Sequence, residues 1–137
     1  MKTILLIEDS RMVRTLIEKD LTRSGYQVIT AADGERGLRT AQYNHPDIII
    51  LDMLLPKLTG LEVLHALKAD DDTRNIPVIV LTALSKGNAD RLLVSGADAF
   101  FEKSDTSLQG GLGSLVRVIE QVLGKRLAGS TVSAKAD

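Results

Sequence analysis

The chain has 137 residues, 44% hydrophobic and 26% charged, with 17 basic against 18 acidic side chains. That composition is of one globular domain with a mostly aliphatic core, aromatics being only 3%, and the near-neutral charge gives neither a nucleic-acid footprint nor an anchor for an anionic membrane. Zero cysteines exclude disulfides and thiolate chemistry, and no apolar run approaches the roughly 20 residues of a bilayer span, so a cytoplasmic protein is expected.

Five short aliphatic runs alternate with longer stretches of helical period, the pattern of βα units around a parallel sheet covered on both faces. The first strand is predicted over Thr3 to Glu8. A helix over Ser10 to Arg23 follows, with Met12, Val13, Leu16, Ile17 and Leu21 on one face and Gly25 closing it as a C′ residue. The second strand, Gln27 to Thr30, is shorter and more polar, which places it at a sheet edge. Asp33 is the expected N-cap of a second helix over Asp33 to Tyr43. The third strand, Asp47 to Asp52, is almost wholly Ile and Leu, and Leu61, Leu64 and Leu67 give the period of a third helix over Thr59 to Ala69. The fourth strand spans Pro77 to Thr82. A fourth helix over Lys86 to Ser95 has Gly87 and Asn88 in its first turn, whose low propensity leaves its start poorly fixed and makes it the element expected to move most. A fifth strand, Ala99 to Glu102, precedes a last helix over Leu112 to Leu127 with Leu115, Val116, Ile119, Val122 and Leu123 as its buried stripe. Residues 1–127 thus read as one domain and 128–137 as a polar, solvated tail.

Ligands of an open parallel sheet bind outside the carboxyl ends of its strands, near the point where strand order reverses. Those ends are Glu8-Asp9, Asp52, Thr82 and Glu102-Lys103, each polar after an apolar run. In a sheet of order 2-1-3-4-5 the four strands are contiguous, so three carboxylates, a hydroxyl and an ammonium face one crevice. Crowded carboxylates repel one another, and a hard divalent cation with oxygen ligands relieves that repulsion. Mg²⁺ suits the set, because it accepts one or two carboxylates, keeps several waters and can hold a phosphate oxygen. Phosphoryl transfer needs an in-line nucleophile, a cation on the equatorial oxygens, and further donors where charge spreads. Asp52 is the expected nucleophile, Glu8 and Asp9 the metal ligands with Asp52 shared, Thr82 a donor to one phosphoryl oxygen and Lys103 the counter-charge to another.

Each residue alone has a plainer reading. Glu8 and Asp9 suit the first turn of a helix, Asp52 could be a cap, Thr82 could satisfy its own backbone, Lys103 could be solvated, and Phe100 could be core. It is the shared position at successive strand ends that favours chemistry. His45 and His65 have no partner at ligand spacing and read as surface residues.

The ordered set of Glu8-Asp9-Ser10, Asp52 with Pro56 and Gly60 in "LDMLLPKLTG", "VIVLTA" ending at Thr82-Ala83, and "GADAFFEK" ending at Lys103 resembles the response-regulator receiver family, closely its single-domain chemotaxis type, over about residues 2–125. The resemblance implies a doubly wound, flavodoxin-like α/β fold, a five-stranded parallel sheet of order 2-1-3-4-5 with helices on both faces. It implies transfer from the phosphohistidine of a sensor kinase or phosphotransfer protein to Asp52 with Mg²⁺, the metal also taking the backbone carbonyl of Leu54. Phosphorylation would then shift the face built by the fourth helix, fifth strand and fifth helix, Thr82 moving toward the phosphoryl group and Phe100 turning inward, to engage a downstream protein. Such a chain is a phosphoacceptor that catalyses only its own phosphorylation and dephosphorylation, as a monomer or a switch-dependent dimer.

Three departures from the family pattern carry expectations. Ser104 follows Lys103 where the family usually has a proline, often cis; a non-proline cis bond costs about 3 kcal/mol, so either a trans bond with a shifted loop or a strained bond is expected. Leu54 and Leu84 lie two residues past Asp52 and Thr82, and apolar cover there predicts a long-lived phosphoryl group, since it hinders the attacking water. No output domain follows the last helix, so the signal is expected to leave through protein contacts. The competing readings are an unphosphorylated pseudo-receiver scaffold, an aspartyl-phosphate phosphatase, which would want a carboxylate at position 54, and a flavodoxin-like cofactor binder, whose phosphate Glu8 and Asp9 would repel.

Overall fold

The computed structural model describes residues 1–82, 96–102 and 113–128. Strands β1 (Thr3–Ile7), β2 (Gln27–Ala31), β3 (Ile48–Asp52), β4 (Val78–Thr82) and β5 (Ala99–Glu102) form one parallel sheet in the order β2-β1-β3-β4-β5. This is the expected doubly wound arrangement. The helices are α1 (Arg11–Arg23), α2 (Gly34–Asn44), α3 (Gly60–Ala69) and a C-terminal helix, Gly113–Ala128. The fourth helix expected over Lys86 to Ser95 lies outside the described residues, as do Leu84, Lys103, Ser104 and all but the first residue of the expected tail.

A central strand covered on both sides is apolar along its length, and all five residues of β3 are buried, four Ile and Leu followed by Asp52 at the carboxyl end. Side chains alternate between two cores because successive Cβ atoms leave opposite faces of the sheet. Ile4, Leu6, Ile48, Ile50, Ile79, Leu81 and Phe101 pack with Ile17 and Leu21 of α1 and with Leu115, Ile119 and Val122 of the C-terminal helix. Leu5, Ile7, Ile49, Leu51, Val78 and Val80 pack on the other face with Ala41, Val63, Leu64 and Leu67 of α2 and α3.

Several expected boundaries move. β1 stops at Ile7, although the Glu8 N–H still donates to the Ala31 carbonyl at 3.0 Å. β2 is an edge strand as expected, but it has five residues, as many as β1; its pairing runs on to Ala31 opposite Ile7, and the shortest strand is β5 at the other edge, with four. β3 begins at Ile48, although Asp47 is tied to β1 on both sides, its N–H donating to the Thr3 carbonyl at 2.9 Å and its carboxylate accepting from the Thr3 N–H at 2.7 Å. Met12 is 61% and Leu61 37% exposed, so neither belongs to its helix's buried stripe. Met12 stands five residues before buried Ile17, about 140° round the helix at 100° per residue.

The helix ends follow local rules. α1 is capped by Ser10, whose hydroxyl accepts from the Val13 N–H at 3.3 Å. It closes on Gly25, at φ 99°, with the Gly25 N–H donating to the Thr22 carbonyl and the Tyr26 N–H to that of Leu21, the paired bonds of a Schellman motif. Asp33 caps α2 through the Arg36 N–H at 2.8 Å, and α3 opens on a reciprocal capping box between Thr59 and Glu62. The foot of the sheet is tied by Lys68 of α3, whose ammonium donates to the carbonyls of Arg74 and Ile76 at 3.2 and 3.0 Å and lies 3.8 Å from Asp98.

Candidate phosphoacceptor site

β1 and β3 are neighbours at the centre of the sheet, and their carboxyl ends deliver the acids together. Glu8, Asp9 and Asp52 each place one carboxylate oxygen within 4.8 Å of the others. Glu8 is wholly buried and Asp52 is 2% exposed, while Asp9 is exposed. Buried carboxylates lose the water that would screen their charges, so their mutual repulsion is strong, and a bound cation offsets it.

The loops around these acids are held by specific bonds. In the turn after β1, Glu8 Oε2 accepts from the Ser10 N–H at 3.0 Å. Arg14 reaches back from α1, its Nη1 donating to the Glu8 carbonyl at 3.0 Å and the Asp9 carbonyl at 3.3 Å. After β3, Asp52 Oδ1 accepts from the Leu54 N–H at 3.2 Å. The same loop is pinned farther on: the Gly60 N–H donates to the Met53 carbonyl at 3.0 Å, and a Cβ at Gly60 would overlap the Asp52 carbonyl and the Met53 Cα. Only glycine permits that approach. Between them the Leu58 N–H donates to the Pro56 carbonyl at 2.8 Å across Lys57, at φ 71°, a γ-turn that folds the loop tightly. Thr59, and not Asp52, caps α3, which removes the capping role for Asp52.

The other expected site residues are placed as follows. Leu54 keeps its side chain 74% exposed beside the acceptor, with only its N–H turned to Asp52. Thr82 ends β4 at the carboxyl edge, one residue beyond Leu81, the register partner of Asp52; its side chain lies outside the described residues. Phe100 pairs with Val80 in the β4–β5 register and is half-buried against the core under α2 and α3, whereas Phe101 is buried on the opposite face. Phe100 is therefore not among the residues gathered with the acids. His45 and His65 are exposed, as expected. Sequence reading missed Arg14 and the Thr59–Glu62 capping box. The box had a legible signal, a threonine three residues before a glutamate at a helix start; Arg14 had only its place one turn into a helix that begins directly after the acidic pair.

Hard oxygen donors, one of them open to solvent, fit an octahedral cation that retains waters, so Glu8, Asp9 and Asp52 are suited to Mg²⁺. The donor set contains no nitrogen or sulfur that would favour a softer metal.

A five-stranded sheet of this order with acids at the mouth of its central strands defines a receiver module. Residues 4–108 match the sequence model of the response regulator receiver domain, and the chain belongs to that family, the receivers of two-component signalling. It is 41% identical over 123 residues to the probable transcriptional regulator ycf27 of Cyanophora paradoxa, covering 87% of this chain but only 50% of that protein, so the chain spans about half its length. It is 37% identical over 103 residues to the polar-differentiation response regulator DivK of Brucella ovis, covering 74% of this chain and 84% of that one. Among solved structures, the chemotaxis response regulator CheY4 of Vibrio cholerae superposes with a TM-score of 0.79 at 28% identity, over 89% of this chain and 98% of its own. The receiver domain of the sensor histidine kinase PA1611 from Pseudomonas aeruginosa, with a magnesium ion coordinated in its active-site cleft, superposes with a TM-score of 0.77 at 30% identity, over 90% and 98%. Among the described residues no helix is long and apolar enough to cross a membrane.

Proposed function

We propose that this chain is a phosphorylation-controlled switch that accepts a phosphoryl group on Asp52 from the phosphohistidine of a sensor kinase or phosphotransfer protein. An oxygen of the Asp52 carboxylate attacks phosphorus in line, the P–N bond to histidine breaks, and the electron pair returns to the imidazole. Glu8, Asp9 and Asp52, with the backbone carbonyl of Leu54, are the ligands for Mg²⁺, which when bound supplies positive charge to the phosphoryl oxygens. The Leu54 N–H bonded to Oδ1 at 3.2 Å limits the carboxylate's rotation and so orients it for attack. The Thr82 hydroxyl, on the last residue of β4, and the Lys103 ammonium, on the residue that follows β5 in sequence, take the remaining phosphoryl oxygens.

The reading extends to output. A new charge of about −2 at the mouth of the sheet biases Thr82 and half-buried Phe100, and the face built by the expected fourth helix, β5 and the C-terminal helix carries the change to a downstream protein. The chain acts chemically only on itself, because the position two past the nucleophile is an exposed leucine and offers no general acid or base for turning over esters.

The observation that carries the proposal is the convergence of three carboxylates, two of them buried, at the ends of β1 and β3. Incubation with Mg²⁺ and a small acyl phosphate should add one phosphoryl group per chain, located at Asp52 by mass spectrometry and absent in Asp52→Asn. A wild-type chain left unmodified, or label retained by Asp52→Asn, overturns it.

A further inference from the structure

The acids at the end of β1 are arranged by a residue that is not itself an acid. Arg14 sits one turn into α1, and a single Nη1 donates both to the Glu8 carbonyl at 3.0 Å and to the Asp9 carbonyl at 3.3 Å. Two successive peptide planes are thereby held by one guanidinium. Further bonds at this turn are local: Glu8 Oε2 accepts from the Ser10 N–H at 3.0 Å, the Ser10 hydroxyl from the Val13 N–H at 3.3 Å, and the Ser10 carbonyl from the Arg14 N–H at 2.8 Å. Arg14 thus joins the carbonyls of the acidic pair to the body of α1, whose position is set by Ile17 and Leu21 in the core.

We infer that Arg14 is a positioning residue for the metal-binding acids, orienting the Glu8 and Asp9 backbone so that both carboxylates meet that of Asp52 before any cation arrives. This rests on the reading of Glu8, Asp9 and Asp52 as the Mg²⁺ site. Two effects of Arg14 oppose each other. Its bonds pre-organise the ligands and favour metal, while its positive charge beside the site disfavours a cation. The geometry decides for the first. Both hydrogen bonds go to carbonyl oxygens, which the guanidinium can hold in the absence of metal, and the planar guanidinium fork, whose Nη1 keeps its two N–H donors in fixed directions, loses less freedom in doing so than a lysine ammonium.

Two variants separate the effects. Arg14→Lys keeps the charge and loses the fork; Arg14→Met keeps much of the apolar stem and loses the charge. Mg²⁺ affinity is measured by calorimetry on the full chain, and the amide resonances of residues 8–10 are followed by NMR without metal. Positioning predicts that both variants bind Mg²⁺ about tenfold more weakly, the usual scale for lost support behind metal ligands, and that their metal-free amides at residues 8–10 shift while those of β4 do not. Unchanged affinity in both variants, or tighter binding in Arg14→Met with Arg14→Lys like wild type, overturns the inference. A wild-type chain that does not bind Mg²⁺ overturns the metal reading as well, and so the two failures are told apart by the wild-type titration alone.

Discussion

Leu54 touches the acceptor in one way and exposes itself in another. Its N–H holds Asp52 Oδ1, and its side chain, 74% exposed, is an apolar shoulder on the loop two residues past the acceptor. Water that hydrolyses an acyl phosphate must approach phosphorus opposite the Asp52 oxygen, and a leucine can neither orient nor activate it. Replacing Leu54 by Glu or Asn should therefore shorten the lifetime of the phosphorylated chain severalfold without abolishing phosphorylation, as followed by loss of acid-labile label. An unchanged half-life would show that the shoulder does not control water. At this scale the sequence was informative where backbone geometry decides position. Glu8, Asp9 and Asp52 converge because they end or directly follow two neighbouring buried strands, and that is written in the apolar runs before them. It was uninformative where reach decides: Arg14 gives no periodic signal for a bond made backwards across a turn, and Met12 joined the expected apolar face by type although its angle on α1 turns it to solvent.

Elements are limited by their ends, and α2 shows how an end can respond to pH. The Arg36 N–H hydrogen bond to Asp33 holds its carboxyl below the usual carboxylate range, with further help from the positive charges of Lys57, Arg36 and Arg39 against a smaller desolvation effect in the other direction. A folded-state pKa below the unfolded one means that the charged cap stabilises the fold above the unfolded value and that this stabilisation is lost as pH falls through the folded one. Acid should therefore fray the first turn of α2, seen as faster hydrogen exchange at the Arg36 amide. Asp33→Asn, which keeps a capping oxygen but no titrating charge, should lack that acid-dependent step. The same acid response in both forms would refute the assignment. Element ends were also where sequence reading slipped by a residue or so. The second strand is expected to end at Thr30, yet pairing with β1 extends β2 through Ala31, a tertiary effect that local residue types do not encode.

For the whole molecule, the alternation of apolar runs with helical periods was enough to require a parallel sheet with two covered faces, and the polarity of β2 was enough to place it at an edge. The order of the inner strands is a property of crossovers, which no local pattern specifies; it came from the family resemblance. The two cores on either side of the sheet meet only through strands such as β3, so the site at the end of β3 is rooted in the most buried segment of the fold. A ligand that binds this site in the folded chain and not in the unfolded one must raise overall stability by mass action. Mg²⁺ at a hundred times its dissociation constant should add about 2.7 kcal/mol, read as a higher melting temperature that excess chelator reverses and that Asp52→Asn diminishes. A melting temperature indifferent to Mg²⁺ at concentrations that saturate binding would contradict a single intact site.

Asp9 is the exposed member of a trio whose other two acids are enclosed. An ion held by these three acids would thus be reachable from the solvent through Asp9, without the sheet or its helices parting. With Mg²⁺ as the proposed ligand, occupancy would follow the free magnesium of the surroundings, and readiness to receive a signal would become a matter of ionic supply.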